Sequence, residues 1–367
     1  MNIQISTNIL LPILQSSASV LDRKHNQAIL SNLLLELNND RLIITATDLE
    51  LELSSTINIK TSGNGELAIP ARKLLDICRA LPSGSNIKLS KHENQVKITS
   101  GKSRFMLSTL PAKEFPRMND EDHTQILEID RVSLIDLFTI TNFAMASQDV
   151  RYYLNGLLFE VTNNSIRSVA TDGHRLALAD VEFSNKSSSD VSMIIPRKGV
   201  LELLKLLAGS DEKNVSLSIG NNGISVTIGS QIMKIKLLEG NFPDYKRVIP
   251  KESNNFMLAD REELRSVLTR TSILSNEKFR GIRLTLNENL VKAIAHNPEK
   301  EEAEEDLEVR YTGDDLEVGF NVAYLLDVLG ILKCETVRLD VIDANSSCLI
   351  TDPEKSNAKY VVMPMRL

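Results

Sequence analysis

A single helical pattern of apolar positions occurs three times along the chain. In each copy, four apolar residues stand at i, i+3, i+4 and i+7, as in a helix with one buried face. From Leu74 to Val200 is 126 residues, and from Val200 to Leu325 is 125. Solenoid repeats are only about 20–50 residues long, so this interval indicates three copies of one domain. The three sets are Leu74, Ile77, Cys78 and Leu81; Val200, Leu203, Leu204 and Leu207; and Leu325, Val328, Leu329 and Leu332.

An additional helix is predicted near the start of each repeat. These first helices follow Thr7, Asp130 and Asp260, and Asp260 with Glu263 has the pattern of a capping box. Pro12 lies within the first of them, and we expect it to shorten or kink that helix. The second helix of each repeat is predicted to begin at Pro70, Pro196 and Asn321.

Alternating apolar and polar residues predict strands around both helices of each repeat. Examples are residues 42–47, 87–90 and 96–99. Two helices and about eight strands per repeat predict an α+β fold, with helices on one face of antiparallel sheet. Polar linkers at 117–125 and 244–255 place the three domains at 1–125, 126–252 and 253–367. Three copies of one domain suggest a symmetric or ring-like object.

Composition is ordinary for a globular protein and excludes few functions. Of the 367 residues, 42% are hydrophobic and 25% charged. No apolar run approaches the ~18 residues of a membrane span, and the start of the chain does not resemble a signal peptide. The cysteines Cys78, Cys334 and Cys348 are odd in number and far apart, so we expect no disulfide framework or zinc site. We therefore expect a cytosolic protein without a cofactor.

The net charge of −7 argues, taken alone, against nucleic-acid binding. A net charge is only an average, however, and a closed shape can be basic inside and acidic outside. The second helix of the first repeat carries Arg72 and Arg79 on either side of Asp76, and Lys198, Glu202 and Lys205 repeat this pattern. Such helices either bind phosphates without reading bases or present a solvated face of ion pairs.

Residues 148–153 and 171–176 contain further candidate chemistry. The first segment, QDVRYY, places Gln148 near the paired tyrosines Tyr152 and Tyr153, which suit a nucleic-acid backbone or stacking on bases. The second, TDGHRL, contains Asp172 and His174, a possible general-base or metal-ligand pair. No nucleophile or metal-ligand spacing accompanies that pair, so a turn is the favoured interpretation.

The last two features are an acidic run and an apolar chain end. Residues 299–306, EKEEAEED, are either a solvated edge or a surface that pairs with a basic subunit edge such as 102–104, KSR. Residues 360–367, YVVMPMRL, are unusually apolar for a terminus. Methionine and proline there suit an adaptable hydrophobic groove.

Several of these segments together resemble the bacterial sliding clamps, the β subunits of DNA polymerase III. The resemblance covers the whole chain in order, including its three repeats. It implies a head-to-tail homodimer whose six domains close a ring, with helices lining the hole and DNA threading it. It also implies a non-enzymatic processivity factor, opened and closed by a clamp loader. The segments that carry it are 170–177 (ATDGHRLA), 195–199 (IPRKG), 273–281 (ILSNEKFRG) and 360–367.

The resemblance implies three sets of site residues. For DNA it suggests Lys24, Gln148, Tyr152 and Tyr153, and the helix-face pattern adds Arg72 and Lys198. Position 24 is Arg in the best-known relatives, and Lys keeps the charge but not the bidentate fork. For a peptide pocket it suggests Leu154, Thr171, Gly173, His174, Arg175, Leu176, Pro243, Arg247, Val248, Val361, Val362, Met363, Pro364, Met365, Arg366 and Leu367. For the dimer interface it suggests Lys102, Arg104, Phe105, Leu107, Ile273, Leu274, Glu299, Glu301, Glu302 and Glu305.

The partners implied are duplex DNA, a second copy of the chain, the replicative polymerase α subunit, the clamp loader, translesion polymerases and mismatch-repair proteins. The implied location is the bacterial cytoplasm, at the nucleoid. Two rival functions remain open at this stage. One is a hydrolase that uses Asp172 and His174, and the other is a monomeric three-domain scaffold.

Overall fold

The computed structural model describes residues 1–21, 27–59, 63–119, 125–183, 190–311 and 313–366. Six α-helices and 25 β-strands occur in these residues. The first repeat contains β1 (Asn2–Ser6), α1 (Thr7–Val20), β2 (Asn32–Asn38), β3 (Arg41–Thr47), β4 (Leu51–Asn58), β5 (Asn64–Pro70), α2 (Ala71–Ala80), β6 (Asn86–His92), β7 (Gln95–Ser100) and β8 (Ser103–Ser108).

The second repeat follows the same order, and the third adds one short strand, β21. The second contains β9 (Gln125–Asp130), α3 (Arg131–Thr139), β10 (Gly156–Val161), β11 (Ser165–Thr171), β12 (Arg175–Glu182), β13 (Val191–Pro196), α4 (Arg197–Ala208), β14 (Asn214–Ile219), β15 (Gly223–Ile228) and β16 (Gln231–Lys236). The third contains β17 (Phe256–Asp260), α5 (Arg261–Thr271), β18 (Gly281–Asn287), β19 (Leu290–His296), β20 (Glu302–Glu308), β21 (Arg310–Tyr311), β22 (Leu316–Asn321), α6 (Val322–Ile331), β23 (Thr336–Asp340), β24 (Cys348–Asp352) and β25 (Lys355–Val362).

The helices α5 and α6 begin where their predicted capping residues place them, whereas α1 begins at Thr7 itself with Ser6 as its cap. Asp260 accepts a hydrogen bond from the Glu263 amide at 2.9 Å, and Asn321 accepts one from the Ala323 amide at 3.0 Å. One part of the expectation for Pro12 is wrong, because α1 is not shortened there but continues to Val20. The kink at Pro12 stays a prediction. A buried face packed in the core stabilises a helix more than one missing hydrogen bond weakens it.

The three apolar stripes form the buried faces of α2, α4 and α6. Most of their members are buried, and the others are half-buried at the edge of the stripe. Cys78 lies within the α2 stripe, and burial raises the pKa of its thiol to about 11. It is a free cysteine, as are Cys334 and Cys348. The buried members are Leu74, Cys78, Val200, Leu203, Leu207, Leu325, Val328, Leu329 and Leu332.

In two of the repeats, an arginine at the start of the first helix donates a hydrogen bond to a carbonyl in the last turn of the second helix. Arg131, the first residue of α3, donates to the carbonyl of Leu207 at 2.9 Å. Arg261, the first residue of α5, donates to the carbonyl of Leu329 at 3.1 Å and is only 15% exposed. Both carbonyls belong to the last turn of a helix, where no intrahelical donor exists. Arg261 therefore has a structural role.

The chain divides into two compact units, each with one large and one small antiparallel sheet. The first unit comprises Met1–Val132 and Leu201–Leu237. Its sheets have the orders β5-β2-β3-β4-β16-β15-β14-β9 and β1-β6-β7-β8. The second unit comprises Ser133–Val200 and Leu238–Leu367. Its sheets have the orders β13-β10-β11-β12-β25-β24-β23-β17-β21 and β20-β19-β18-β22.

Each large sheet combines strands from two repeats. In the first unit β4 pairs with β16, with Leu53 opposite Met233. In the second unit β12 pairs with β25, with Leu176 opposite Val361. The last strand of the chain therefore lies directly beside the strand that follows residues 171–174.

Candidate functional site

A tight turn of threonine and aspartate connects β11 to β12. The Thr171 hydroxyl donates to the Arg175 carbonyl at 2.6 Å and accepts from the Gly173 amide at 3.1 Å. Asp172 Oδ1 accepts from the His174 and Arg175 amides at 2.9 and 3.0 Å. Because this carboxylate is engaged by backbone amides, the geometry favours a turn over a catalytic pair. We call residues 171–175 the Thr-Asp turn.

Glycine is favoured at the third position of the Thr-Asp turn. Gly173 has a φ of +87°, in the left-handed region that favours glycine. A Cβ at this position would lie 3.0 Å from both terminal guanidinium nitrogens of Arg151. Arg151 is itself fixed by two hydrogen bonds to Asp149, and this contact lowers the pKa of the Asp149 carboxyl to about 2.

A cavity of about 190 Å³, which we call cavity A, opens beside the Thr-Asp turn in the second unit. Its floor is apolar, because Leu176, Tyr245 and Val361 belong to a buried hydrophobic cluster. Concave sites with apolar walls and a few polar groups at the edge are typical of binding pockets. The lining residues are Arg151, Tyr153, Leu154, Thr171, Gly173, His174, Arg175, Leu176, Pro243, Asp244, Tyr245, Val248, Val361 and Met363.

The chain end contributes alternate residues to cavity A. Val361 and Met363 line it, whereas Val362 between them is 0% exposed and lies in the core. Side chains alternate between the two faces of a strand, so the apolar ending could not all face one groove. The other described residues suggested for the pocket do not line cavity A. They are Arg247, Pro364, Met365 and Arg366, and Arg247 forms an ion pair with Asp244. Leu367 lies outside the described residues.

Four lining residues of cavity A were absent from the predicted pocket: Arg151, Tyr153, Asp244 and Tyr245. Tyr153 was predicted to contact DNA, and Tyr245 had no signal in the sequence. The Tyr245 hydroxyl donates to Glu160 at 2.6 Å and accepts from Arg167 at 3.0 Å. Burial, followed by the hydrogen bond to Glu160, raises its pKa to about 12.

The residues predicted to contact DNA are spread over several elements. Gln148 and Tyr152 are exposed, and the Tyr152 ring meets the ring of Tyr153, which lines cavity A, edge to face at 5.9 Å. Arg72 is exposed on α2, and Lys198 is half-buried on α4. Lys24 lies outside the described residues.

The residues predicted for a dimer interface lie on two sheet edges, one in each unit. In the first unit, β8 is an edge strand with Arg104 exposed and Phe105 and Leu107 half-buried, and Lys102 is exposed in the turn before it. In the second unit the edge strand is β20, which begins at Glu302 and follows the exposed Glu299 and Glu301. Near it, Ile273 is 75% exposed and Leu274 is half-buried. Glu305 points to the opposite face of β20 and pairs with Arg270 of its own chain.

A cavity of about 430 Å³, cavity B, lies in the first unit between α1, α4 and strands β4 and β16. Glu202 lines it and is buried, although the helix pattern predicted an exposed polar face. Its carboxylate accepts from the Ser19 hydroxyl at 2.6 Å and from Lys205 at 2.7 Å. The charge is thus already compensated within the chain, and cavity A is the stronger candidate for a binding site.

The described part of the chain contains no group of three or more His, Cys, Asp or Glu residues that could hold a metal ion. None of the helices in that part has both the length and the apolar character needed to cross a lipid bilayer.

The chain was compared with known protein families, and one family matches it over nearly its whole length. Three models of the DNA polymerase III beta subunit match the chain in order: its N-terminal domain at 1–119, its central domain at 128–244 and its C-terminal domain at 246–366. The chain belongs to the DNA polymerase III beta subunit family. Family membership confirms the resemblance inferred from the sequence and the three-domain clamp fold.

Members of the beta subunit family are similar to this chain over its whole length. Proteins named beta sliding clamp from Pseudomonas aeruginosa, Haemophilus influenzae and Escherichia coli K12 are 45%, 46% and 44% identical over 368 aligned positions, covering 100% of both sequences. The crystal structure of the P. aeruginosa subunit matches with a TM-score of 0.97 and covers 100% of both chains. A Bartonella birtlesii sliding clamp solved with griselimycin bound is 35% identical, with a TM-score of 0.97 and the same full coverage.

Proposed function

We propose that two copies of this chain join head to tail into a ring that encircles duplex DNA and tethers the replicative polymerase to it. The observation that carries the proposal is the pair of unpaired sheet edges, one in each unit. Within the described residues, β8 pairs only with β7 and β20 only with β19. Unpaired edges of this kind are templates for pairing with another chain. Joining β8 of one copy to β20 of the next would cover both edges, and repeating the contact once would close the ring.

Charge and apolar surface both support this pairing of edges. The β8 edge has Lys102 and Arg104 exposed, and the β20 edge has Glu302 and Glu304 exposed. Opposite charges guide the two edges together, although each exposed ion pair stabilises by only ~0–1 kcal/mol. Ile273 adds a large exposed apolar side chain whose burial is worth about 1.5–3 kcal/mol.

Duplex DNA would be held mainly by topology and by weak contacts to phosphates. The cationic candidates for those contacts are Arg72, Lys198 and Lys24, and the uncharged candidates are Gln148 and Tyr152. Because these contacts would be made to phosphates rather than to base edges, we expect binding without sequence preference and with a steep loss of affinity as salt rises. The proposed role requires no catalysis and no cofactor from this chain.

Cavity A would receive short peptide segments of partner proteins. Its apolar floor and its size suit one or two apolar side chains of an extended segment, with polar groups at the edge to orient it. The partners proposed are the polymerase α subunit, the clamp loader, translesion polymerases and mismatch-repair proteins. Such a hub would operate at the nucleoid in the cytoplasm.

The experiment that tests the ring is loading onto circular DNA. The protein is placed on nicked circular DNA by a clamp loader with ATP, and the DNA is then linearised. A ring slides off the ends, whereas a protein bound to the DNA surface stays. Retention on linear DNA at the level seen on circular DNA would contradict encirclement and favour a scaffold that binds the surface.

A further inference from the structure

Arg175 lines cavity A, and each nitrogen of its guanidinium group donates one hydrogen bond to the protein. The side chain is only 12% exposed. Nε donates to Asp172 Oδ2 at 3.1 Å, Nη2 donates to the Phe143 carbonyl at 2.8 Å, and Nη1 donates to Asp327. The guanidinium carbon lies 4.6 Å from the centre of the Tyr324 ring, within the range of a cation–π contact. Three of the five guanidinium N–H groups therefore have a protein acceptor, one on each nitrogen.

Two of these partners, Tyr324 and Asp327, belong to α6 and do not line cavity A. Asp327 is the counterpart in the third repeat of Asp76 and Glu202, at intervals of 126 and 125 residues. Glu202 and Asp327 have different partners. Glu202 is bound by Ser19 and Lys205 in the first unit, whereas Asp327 is bound to the Thr-Asp turn.

Contacts with α6 reach two walls of cavity A. Asp172 holds the His174 and Arg175 amides with one carboxylate oxygen and Arg175 Nε with the other. The His174 ring stacks on Tyr324 with centroids 6.5 Å apart. The His174 carbonyl in turn accepts from the Met363 amide at 2.9 Å, which fixes the chain end that forms the second wall.

We propose that Arg175 is a positioning residue that couples cavity A to α6, so that the conformation of α6 sets the affinity of the pocket for peptide segments. The inference rests on the proposed peptide-binding function of cavity A. Removing the Asp327 charge leaves a nearly buried guanidinium with less compensation, which loosens the Thr-Asp turn without altering any group that lines the cavity. Because coupling between two sites is reciprocal, a bound peptide must also stabilise α6.

The first test measures the peptide affinity of full-length variants in which the negative charge of one aspartate is removed or kept. A labelled C-terminal peptide of the replicative polymerase α subunit is titrated by fluorescence anisotropy. Asp327→Asn should weaken binding by about fivefold or more, the lower end of typical couplings, and Asp327→Glu should restore most of the loss. Asp76→Asn is the matched control, because it removes the same charge at the equivalent position of α2 and should leave the affinity unchanged.

The second test measures the reciprocal effect on α6. Saturating peptide should slow hydrogen exchange of the α6 amides in the unaltered protein and in Asp76→Asn, and it should slow it much less in Arg175→Lys, which keeps the charge but loses the planar fork. Thermal unfolding of each variant establishes that it is folded. Tyr324→Leu, which removes the ring beneath the guanidinium without changing a charge, gives a second disruption of the same link.

The outcomes separate the two proposals. Peptide binding by the unaltered protein with unchanged affinity in Asp327→Asn and Tyr324→Leu would overturn the coupling and leave the pocket intact. Absence of peptide binding by the unaltered protein would contradict the pocket itself and the coupling with it. A loss of affinity in Asp327→Asn without any peptide effect on α6 exchange would also overturn the coupling, because reciprocity would fail.

Discussion

At the scale of single residues, two turns with the same hydrogen bonds have different uses. In the first repeat, Thr47 donates to the Leu51 carbonyl at 2.7 Å, and Asp48 accepts from the Leu51 amide at 2.7 Å. The Thr-Asp turn repeats this arrangement, with Gly173 where the first repeat has Leu49. Leu49 has a φ of +78°, so the turn tolerates a side chain there, but only the glycine lies against a guanidinium group.

We expect Gly173→Ala to damage cavity A more than it damages the fold. The left-handed conformation costs a residue with a Cβ about 1–2 kcal/mol, and the new methyl group would displace Arg151. Unfolding by denaturant should show that loss of stability, and anisotropy titration should show weaker peptide binding. Leu49→Gly is the control in the matching turn: it should not destabilise the protein, and a peptide affinity altered by it would contradict this local explanation.

Tyr245 should make stability depend on alkaline pH. Its pKa of about 12 exceeds the ordinary 10.0, so the unfolded chain loses this proton first as pH rises. The stabilisation is therefore complete below pH 10 and is lost as pH rises toward 12. Tyr245→Phe should be less stable at neutral pH, because two hydrogen bonds are lost, but its free energy of unfolding should fall less between pH 10 and 12. Parallel slopes for the two proteins would contradict the assignment.

At the scale of secondary-structure elements, the arginines that begin α3 and α5 close other helices. Arg261 also donates to the Cys334 carbonyl at 2.7 Å, and Arg131 donates to the Glu212 carbonyl at 2.6 Å. The first residue of one helix thus fixes both the last turn of a second helix and the segment that follows it. These hydrogen bonds hold the two helices of a repeat, and the segment that leads to the next strand, in a fixed position.

We expect Arg261→Met to destabilise the protein by about 1–3 kcal/mol, because two carbonyls lose their donor in a poorly exposed position. Denaturant unfolding monitored by circular dichroism measures the change. Arg265→Met, one turn later on α5, is the control: that side chain is 48% exposed, and its loss should change stability by less than about 0.5 kcal/mol. Equal losses in the two variants would refute a capping role for Arg261.

At the scale of the whole molecule, we expect the dimer to depend on apolar packing more than on ion pairs. Ile273→Ala with Leu274→Ala should give a folded monomer in sedimentation at micromolar concentration, since each side chain contributes about 1.5–3 kcal/mol when buried. Lys102→Gln with Arg104→Gln should weaken the dimer much less. A dimeric double-alanine variant would remove this surface from the interface.

The repeats, the helices and their caps could be predicted from the sequence because they depend on local spacing. The stripe around Leu74 and the cap at Asn321 are examples. Partners distant along the chain could not be predicted: Glu202 is buried because Ser19 lies against it, 183 positions away. The burial of Val362 could not be predicted either. The resemblance assigned the whole chain end to the pocket and did not show which of its side chains face the core. The boundaries at residues 125 and 252 stay a prediction.

The pairing of β4 with β16 joins the first and second repeats independently of the linker. Five residue pairs connect these strands, and Lys234 lies 3.6 Å from the buried carboxylate of Glu52 within the same pairing. If the backbone were broken between residues 119 and 125, the pairing of β4 with β16 would therefore still connect the two repeats. Residues 1–119 and 125–367, produced as separate polypeptides in one cell, should reassemble by complementation and purify together. Recovery of the longer fragment alone would show that the covalent link is needed for assembly.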